Sequence, residues 1–210
     1  VFVMSLAFVI FSLWKTWKTN IDKVESRAAY TAQMVSSLVD SNLVSALKLL
    51  SITERSMSSI NFARTSDGDI HKILKTAASD FSYAQEDEAF GLLLFADASG
   101  HLLAQNVDAQ LPKVNVKDRL YFEQARKPGA RYAIGDLVVA RVTGDLVFHI
   151  AVPVHGKHDE FEGALIQQIN VKRLERLLED SQLLSVERLA IYLPNGSLAF
   201  DYPHASIVDS

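Results

Sequence analysis

An uncharged apolar run opens the chain and passes directly into a pattern with helical spacing. The run covers residues 1–14 (VFVMSLAFVIFSLW) and is shorter than the roughly 20 apolar residues that span a bilayer. Lys15, Trp17 and Lys18 follow it, and such a mixture of Trp and Lys is typical of a membrane interface. Because the sequence begins on Val and no small-residue cleavage site follows, we interpret the run as part of a transmembrane helix rather than a secretory signal.

The next segment predicts one long helix, because no Gly or Pro occurs from Lys15 to about Ala63. A stripe of apolar, small and polar residues recurs along it at steps of three and four: Ile21, Val24, Ala28, Thr31, Val35, Leu38, Asn42, Ser45, Leu49 and Ile52. Such a stripe either packs on the helix's own domain or pairs with the same helix of a second protomer. The two interpretations are compatible, because each can hold along a different part of the helix.

Beyond this helix the pattern changes to short apolar runs separated by turn residues. The cluster at residues 66–69 is expected to end the long helix, with Asp69 as the N-cap of a short helix from Ile70 to about Tyr83. A solvated acidic loop follows at residues 85–88. The runs 90–96 and 101–105 flank the turn residues 97–100 and predict a hairpin whose first strand is buried on both faces.

The second half of the chain continues this alternation. Residues 118–127 predict a short helix, and Pro128 and Gly129 end it. Residues 137–142 and 146–154 predict a second hairpin, followed by a strand at 163–169 and a short charged helix at 171–178. A long helix, a hairpin, a short helix and three consecutive strands together predict an α+β domain in which helices pack on an antiparallel sheet.

One internal similarity suggests a second module. Residues 92–103 (LLLFADASGHLL) and 188–199 (RLAIYLPNGSLA) are both an apolar strand, a turn ending in glycine and another apolar strand, with turn glycines Gly100 and Gly196. Hairpins resemble one another, so a single pair is weak as a repeat. Because the second copy follows the expected end of the first domain, we interpret it as the opening hairpin of a truncated second subdomain.

Composition and charge exclude several classes of protein. The 210 residues are 49% hydrophobic, which is ample for one domain and the beginning of another. A net charge of −4 and a pI near 5.9 leave no basic stripe for nucleic acid. The chain has no cysteine, so neither disulfides nor thiolate chemistry is available.

No catalytic or metal-binding pattern occurs in the sequence. It contains no G-x-S-x-G elbow, no H-E-x-x-H pair and no phosphate-binding glycine loop. His155 and His158 are three residues apart, but Lys157 lies between them and no third ligand is suitably spaced, so a solvated turn is the better interpretation. We therefore expect no catalytic residue, no metal and no cofactor in this segment.

The segment Asp118-Arg119-Leu120-Tyr121-Phe122 has the strongest indication of binding chemistry. The planar guanidinium of Arg119 could bind a carboxylate through two hydrogen bonds, beside the apolar ring and hydroxyl of Tyr121. Alternatively, Asp118 caps the helix, Arg119 pairs with an acid, and Tyr121 and Phe122 fill the core, and for Phe122 this second interpretation is preferred.

Two further polar residues stand in apolar strands. Arg141, within LVVARV, must either face solvent or find a partner inside the protein. His149, within FHIAVPV, is interpreted as a core or edge histidine.

The order of four segments resembles the double Cache domain, the PAS-like extracytoplasmic sensor module of bacterial membrane receptors. These segments are DRLYFEQA, ARVTGDLVFHIAVPV, FEGALIQQINVKRL and LAIYLPNGSLAFDYP. The variants on histidine kinases and GGDEF-type diguanylate cyclases are most similar. The resemblance implies a long N-terminal helix, a membrane-distal subdomain that binds a small molecule, a membrane-proximal subdomain, and then a second membrane helix with a cytoplasmic output domain.

The resemblance also implies a ligand site. Amino-acid-binding members carry an arginine and aromatic residues on the short helix, and Arg119 and Tyr121 match them, with Tyr121 where tryptophan is usual. The aspartate that binds the ligand's ammonium corresponds to Gln168, whose neutral amide argues against an α-amino acid and leaves either a carboxylate bound by Arg119 or no ligand at all. The expected ligand-binding residues are Arg119, Tyr121, Tyr132, Arg141 and Gln168.

Four segments make up the expected organisation: a partial transmembrane helix (1–14), a long signalling helix (15–63), a membrane-distal Cache subdomain (64–180) and the start of a truncated membrane-proximal subdomain (181–210). We expect an inner-membrane protein, periplasmic from about residue 20 onward, that binds a small anionic metabolite, transmits through the long helix and forms a homodimer. The alternatives are a ligand-free dimerising domain that recognises a protein partner and, third, an anchored enzyme.

Overall fold

The computed structural model describes residues 2–85, 91–172, 176, 189–192, 196 and 198–202. Within these ranges the chain forms a long helix, a second helix packed beside it, an antiparallel sheet and a short helix on the sheet's other face. This is the predicted α+β arrangement, and the prediction is confirmed.

The long helix α1 runs from Phe2 to Ser58 and is the predicted uninterrupted helix, although it ends about five residues before the expected position. Its described side chains from Trp14 to Tyr30 are exposed, whereas Val35, Leu49 and Leu50 are buried. The predicted stripe therefore packs on the helix's own domain from Val35 to Leu49, whereas its last member, Ile52, is 49% exposed. Over Trp14–Ser58, α1 contains a window of mean hydropathy 1.3, which makes it long and apolar enough to cross a membrane by length and composition.

A capping box, rather than Asp69 alone, starts the second helix. A 3₁₀ turn at Phe62–Arg64 follows α1, and α2 then runs from Asp67 to Gln85. The backbone N–H of Asp69 donates to Ser66 Oγ at 3.2 Å, and Ser66 Oγ donates back to Asp69 Oδ2 at 2.7 Å. The prediction that Asp69 is the N-cap was wrong. Ser66 occupies the N-cap position, and Asp69 is the third residue of the helix, whose carboxylate accepts a hydrogen bond from Ser66.

Six strands form the main sheet, and every pairing in it is antiparallel. They are β1 (Leu93–Asp97), β2 (Leu102–Gln105), β3 (Ala133–Ile134), β4 (Val138–Val139), β5 (Leu146–His155) and β6 (Phe161–Asn170). Their order is β2-β1-β6-β5-β3, and β4 also pairs with β5. The two predicted hairpins and the later strand are confirmed, and β1 is buried from Leu93 to Ala96 as expected for a strand covered on both faces.

The sheet separates two apolar layers. On one face, α1 and α2 pack against Phe95, Phe148, Ile150 and Leu165. On the other face lies the short helix α3 (Leu120–Ala125), with Tyr121 and Phe122 directed onto the sheet. Because successive strand residues alternate between faces, each neighbouring pair in β5 and β6 contributes one side chain to each layer.

Three predicted elements are shorter than expected. Helix α3 begins after Arg119 instead of at Asp118 and ends before Arg126. The strand expected at 137–142 is limited to Val138–Val139, so Arg141 lies in the turn after β4 and was wrongly predicted inside a strand. Strand β3 was not predicted, since two residues are too few to produce a periodic signal.

Another hairpin forms a separate two-stranded sheet, with β7 at Leu189–Tyr192 and β8 at Leu198–Tyr202. It is the predicted second copy of the first hairpin, and both turn glycines adopt positive φ, 86° at Gly100 and 84° at Gly196. Its assignment to a second subdomain remains a prediction. The expected acidic loop at 85–88 and helix at 171–178 lie largely outside the described residues.

Candidate functional site

The start of α3 places Arg119 beside the sheet. Arg119 is the N-cap residue, with an extended backbone (φ −84°, ψ 135°) and no side-chain capping bond. Its carbonyl oxygen accepts the first helical hydrogen bonds from Phe122 and Glu123, at 2.9 and 3.0 Å. The guanidinium is half-buried, and among the described residues its hydrogen-bond partner is the carbonyl oxygen of Val139, at 3.4 Å. Most of its donors therefore remain available.

Tyr121 packs against a histidine in the middle of β5. The ring centroids of Tyr121 and His149 are 4.5 Å apart, and their planes are inclined by 31°. Both residues are 4% exposed. Gly135, just after β3, permits this approach, because a Cβ there would lie 2.8 Å from Tyr121 Cδ1. Its N–H also donates to the carbonyl oxygen of His149 at 2.9 Å.

Gln168 lies directly opposite His149 in the pairing of β5 with β6. Paired residues of antiparallel strands project to the same face, so both side chains point toward α3. Gln168 Nε2 donates to Thr143 Oγ1, in the turn between β4 and β5, at 2.9 Å. Close backbone packing fixes its position, since a Cβ on Gly91 would approach the carbonyl oxygen of Gln168 to 2.1 Å.

Two buried polar atoms in this neighbourhood have no hydrogen-bond partner among the described residues. They are His149 Nδ1 and Gln168 Oε1. Leaving such atoms unpaired in a protein interior costs roughly 1–3 kcal/mol each, and native structures usually avoid it. Unpaired polar atoms beside an available guanidinium are the arrangement expected of a site that a polar ligand completes.

The electrostatics of the site follow from burial and from Arg119. Burial, then the positive charge of Arg119, lowers the pKa of His149 from 6.5 to about 4, so the imidazole is neutral at ordinary pH. Burial raises the pKa of the Tyr121 hydroxyl from 10.0 to about 12, so this residue stays a neutral phenol. Arg119 is thus a cation next to two neutral polar side chains.

Arg141 is engaged by an ion pair within the protein. Its Nη1 and Nη2 donate to the two carboxylate oxygens of Asp118 at 2.7 and 2.6 Å, and Nη1 also donates to the carbonyl oxygen of Asn115 at 2.6 Å. Hydrogen bonding by Arg141 lowers the pKa of Asp118 from 3.8 to about 2. The pair fastens the turn after β4 to the residue that precedes α3, which positions Arg119.

The structure brings three of the five expected residues into one group. Arg119, Tyr121 and Gln168 surround His149, whereas Arg141 stands at the edge of the group through Asp118. Tyr132 is 52% exposed, and no described contact joins it to this group.

His149 was interpreted as a core or edge residue, and its burial in β5 agrees with that interpretation; its place beside Arg119, Tyr121 and Gln168 was not predicted. A titratable side chain within the apolar run FHIAVPV was the signal that could have identified it.

A surface hollow of about 670 Å³ lies on the outer side of α3, next to this group. Of the residues near the site it includes Asp118 and Phe122, and it is otherwise lined mainly by charged residues such as Lys117, Glu123 and Arg126. It contains neither Arg119 nor His149, so it is a different surface from the group of buried polar atoms.

Comparison with known proteins connects this fold with bacterial sensors. No family model matches the chain. Sporulation kinase D of Bacillus subtilis (strain 168) is 28% identical over 130 residues, which are 62% of this chain and 25% of that protein. The chain therefore spans about a quarter of the curated relative that it matches.

Solved structures share the fold at low sequence identity. The ligand-binding domain of the Pseudomonas aeruginosa PAO1 amino acid chemoreceptor PctC, in complex with GABA, matches 84% of this chain and 74% of its own, with TM-score 0.62 and 14% identity. The extracellular domain of rpHK1S-Z16, named as a histidine kinase, matches 81% of this chain and 68% of its own, with TM-score 0.63 and 18% identity. The ligand-binding domain of the Campylobacter jejuni chemoreceptor Tlp3, in complex with 4-methylisoleucine, matches 86% of this chain and 71% of its own, with TM-score 0.63 and 12% identity. The chain thus has the sensor-domain fold of chemoreceptors and histidine kinases, as predicted.

Proposed function

We propose that this chain is the extracytoplasmic ligand-sensing part of a bacterial membrane signalling receptor, and that its ligand is a small carboxylate. The observation that carries the proposal is the half-buried guanidinium of Arg119 beside the unpaired buried atoms His149 Nδ1 and Gln168 Oε1. A ligand with a carboxylate for Arg119 and a polar group for the other two atoms would complete all three.

The charge of the site favours an anion. Arg119, Arg141 and Asp118 are the charged groups that act on Tyr121. Because Asp118 and Arg141 form a bidentate ion pair, the net charge of these three groups is one positive charge, that of Arg119. A monoanion neutralises it, and its binding in a partly desolvated site is strengthened accordingly.

The related structures support a carboxylate ligand. PctC is described in complex with GABA, and CtaA of Pseudomonas fluorescens in complex with L-serine. Both compounds carry one carboxylate. We propose that Arg119, Tyr121 and Gln168 contact the ligand directly, and that Arg141 and Tyr132 act at the rim of the site.

Transmission would pass through the sheet to α1. In β6, Gln168 faces α3, and its neighbour Gln167 faces the layer that contains α1, where it is 1% exposed. Closure of α3 on a ligand would favour one packing of α1 over another, which requires different ligand affinity in the two states.

Helix α1 would carry that change to the membrane. The exposed rings of Trp14 and Trp17 would lie at the interface of the inner membrane, with the sheet in the periplasm. A homodimer through the exposed part of α1 completes the proposal.

The whole protein would carry a signalling output. The match to sporulation kinase D favours a histidine kinase, and a GGDEF-type diguanylate cyclase is the other candidate. We assign no catalysis to the present segment.

Calorimetric titration of the 210-residue chain in detergent tests the binding proposal. Short monocarboxylates, such as acetate, propionate and L-lactate, are expected to bind, and Arg119→Ala to weaken binding at least about thirtyfold, the loss expected for a charged hydrogen-bond partner. Arg119→Lys should recover only part of this loss, because lysine lacks the planar fork. Arg126→Ala, an exposed arginine at the other end of α3, is the matched control and should bind normally.

A second function is supported by the exposed apolar residues of α1. Val24, Tyr30 and Val44 are each more than 60% exposed, and they would suit a ligand-free dimer that recognises another periplasmic protein. Absence of carboxylate binding, together with a stable dimer that Val24→Glu dissociates, would support this alternative. Turnover of any bound compound would support an anchored enzyme.

A further inference from the structure

We propose that the ligand is a short hydroxy acid, whose carboxylate binds Arg119 and whose hydroxyl lies against His149 and Gln168. The inference rests on the proposed function and specifies its ligand. It assigns His149 as a specificity-determining residue and Gln168 as its partner across the two strands. An amino acid, with an ammonium group in place of the hydroxyl, should be a poor ligand.

The first argument is the buried acceptors. His149 and Gln168 are each 4% exposed, and His149 Nδ1 and Gln168 Oε1 are both unpaired among the described residues. The two residues face each other in register on the side of the sheet that carries α3. Gln168 is close enough to His149 to act on its pKa, so one ligand group beside the two side chains would reach both.

The second argument is charge. An ammonium requires a carboxylate nearby, but Gln168 is a neutral amide, and the imidazole of His149 stays neutral until its pKa of about 4. The Asp118 carboxylate is already bound on both oxygens by Arg141. An ammonium here would add a second positive charge near Arg119, which a partly desolvated site disfavours.

The third argument is that a hydroxyl both donates and accepts hydrogen bonds. It can donate to Gln168 Oε1 or to His149 Nδ1, and it can accept a hydrogen bond when the partner presents an N–H instead. A hydrogen or methyl substituent would leave both protein atoms unpaired, which is the condition under which a site rejects a close analogue most strongly.

The experiment compares matched carboxylates on the 210-residue chain in detergent. One series is L-lactate, L-alanine and propionate, and the other is 3-hydroxybutyrate, 3-aminobutyrate and butyrate, so members of a series differ in a single substituent. We expect the hydroxy acid of at least one series to bind about tenfold or more tightly than both analogues. In His149→Phe and in Gln168→Leu, the ratio of hydroxy acid to unsubstituted acid should fall toward one.

The ratio of the two affinities, hydroxy acid to unsubstituted acid, is compared because both affinities are measured on the same folded variant. Thermal unfolding establishes that each variant is folded, and Thr143→Val, which removes only the hydroxyl that Gln168 Nε2 contacts, provides a second and milder perturbation. It should reduce the ratio by less than Gln168→Leu does.

The outcomes separate the two proposals. Binding that depends on Arg119 but is equal for the three substituents, or stronger for the amino acid, would overturn the hydroxy-acid inference and leave the carboxylate sensor intact. A ratio that persists in His149→Phe and Gln168→Leu would also overturn it. If none of the six compounds binds, the proposed function fails together with this inference.

Discussion

His149 makes the stability of the domain depend on pH. Its folded pKa is about 4 and its ordinary value is 6.5, so the unfolded chain takes up a proton first as the pH falls. The free energy of unfolding is therefore highest above about pH 6.5 and decreases as the pH falls below that value. It stops decreasing near pH 4, where the histidine of the folded protein is also protonated. The lowered pKa corresponds to a loss of about 3 kcal/mol. Urea unfolding between pH 7.5 and 4.5 measures it.

A matched pair of variants isolates this contribution from other titrating groups. His149→Gln should flatten the decrease, whereas His158→Gln, at an exposed position, should retain it. If the free energy of unfolding decreased equally in wild type and in His149→Gln between pH 7.5 and 4.5, the histidine would not be buried in its neutral form. The contribution of Asp118 is lost only at lower pH, because the loss begins when the carboxyl of the unfolded chain is protonated, near its ordinary pKa of 3.8, and continues to the folded pKa of about 2.

Residue identity alone predicted part of the candidate group and not its geometry. Arg119 and Tyr121 stand out in the sequence because a cation and an aromatic residue fall on one short helix. The partner of Arg141 could not be predicted, because Asp118 is 23 residues away and the turn that joins them has no periodic pattern. The place of His149 in this group was not predicted for a similar reason, since it depends on the strand register with Gln168.

At the scale of elements, the N-terminus of α2 depends on Ser66. Ser66 accepts the N–H of Asp69 and donates to its carboxylate, which satisfies groups that the helix leaves unpaired. Ser66→Ala is therefore expected to lower the free energy of unfolding by about 1 kcal/mol. Urea denaturation at pH 7 measures the change.

The control is Ser56→Ala, an exposed position inside α1 whose hydroxyl donates only to the carbonyl oxygen of Ile52 at 3.3 Å. It should alter the free energy of unfolding by less than about 0.5 kcal/mol. Equal effects of the two substitutions would indicate that the hydrogen bonds of Ser66 do not stabilise α2.

The elements that sequence patterns predict best are those with the longest uninterrupted signal. Helix α1 and strands β5 and β6 extend over many residues of consistent periodicity, and all three were anticipated. Strands β3 and β4 contain two residues each, and pairing with β5 defines them rather than local preference. The N-cap was misassigned because Ser66 and Asp69 are both good capping residues, and only the hydrogen bonds decide between them.

For the whole molecule, the important relation is that the candidate site and α1 lie on opposite faces of one sheet. His149 and Gln168 face α3. Their neighbours in the same strands, Ile150 and Gln167, face the α1 layer. Both faces carry a buried apolar cluster, and packed interiors transmit displacements rather than absorb them. The oxygen Oε1 of Gln167 is buried without a described partner, so the α1 face contains a polar atom that an alternative packing could satisfy.

A ligand on the α3 face is therefore expected to change the protection of α1. A ligand at a hundred times its Kd stabilises the state that binds it by about 2.7 kcal/mol, which is enough to redistribute two packings of similar free energy. Hydrogen exchange, followed by mass spectrometry with the tightest-binding carboxylate, should slow at least about fivefold in the segment of α1 from Ala46 to Met57, which packs on the sheet.

The exposed part of α1 from Trp14 to Tyr30 provides an internal control, since it has no described packing against the sheet. In a monomer, its exchange should change little, because ligand binding alters contacts that this segment does not make. Arg119→Ala should abolish the slowing at Ala46 to Met57 at the same ligand concentration. If protection were confined to α3, β5 and β6, the domain would bind its ligand without coupling the site to the long helix, and transmission through α1 would have to be abandoned.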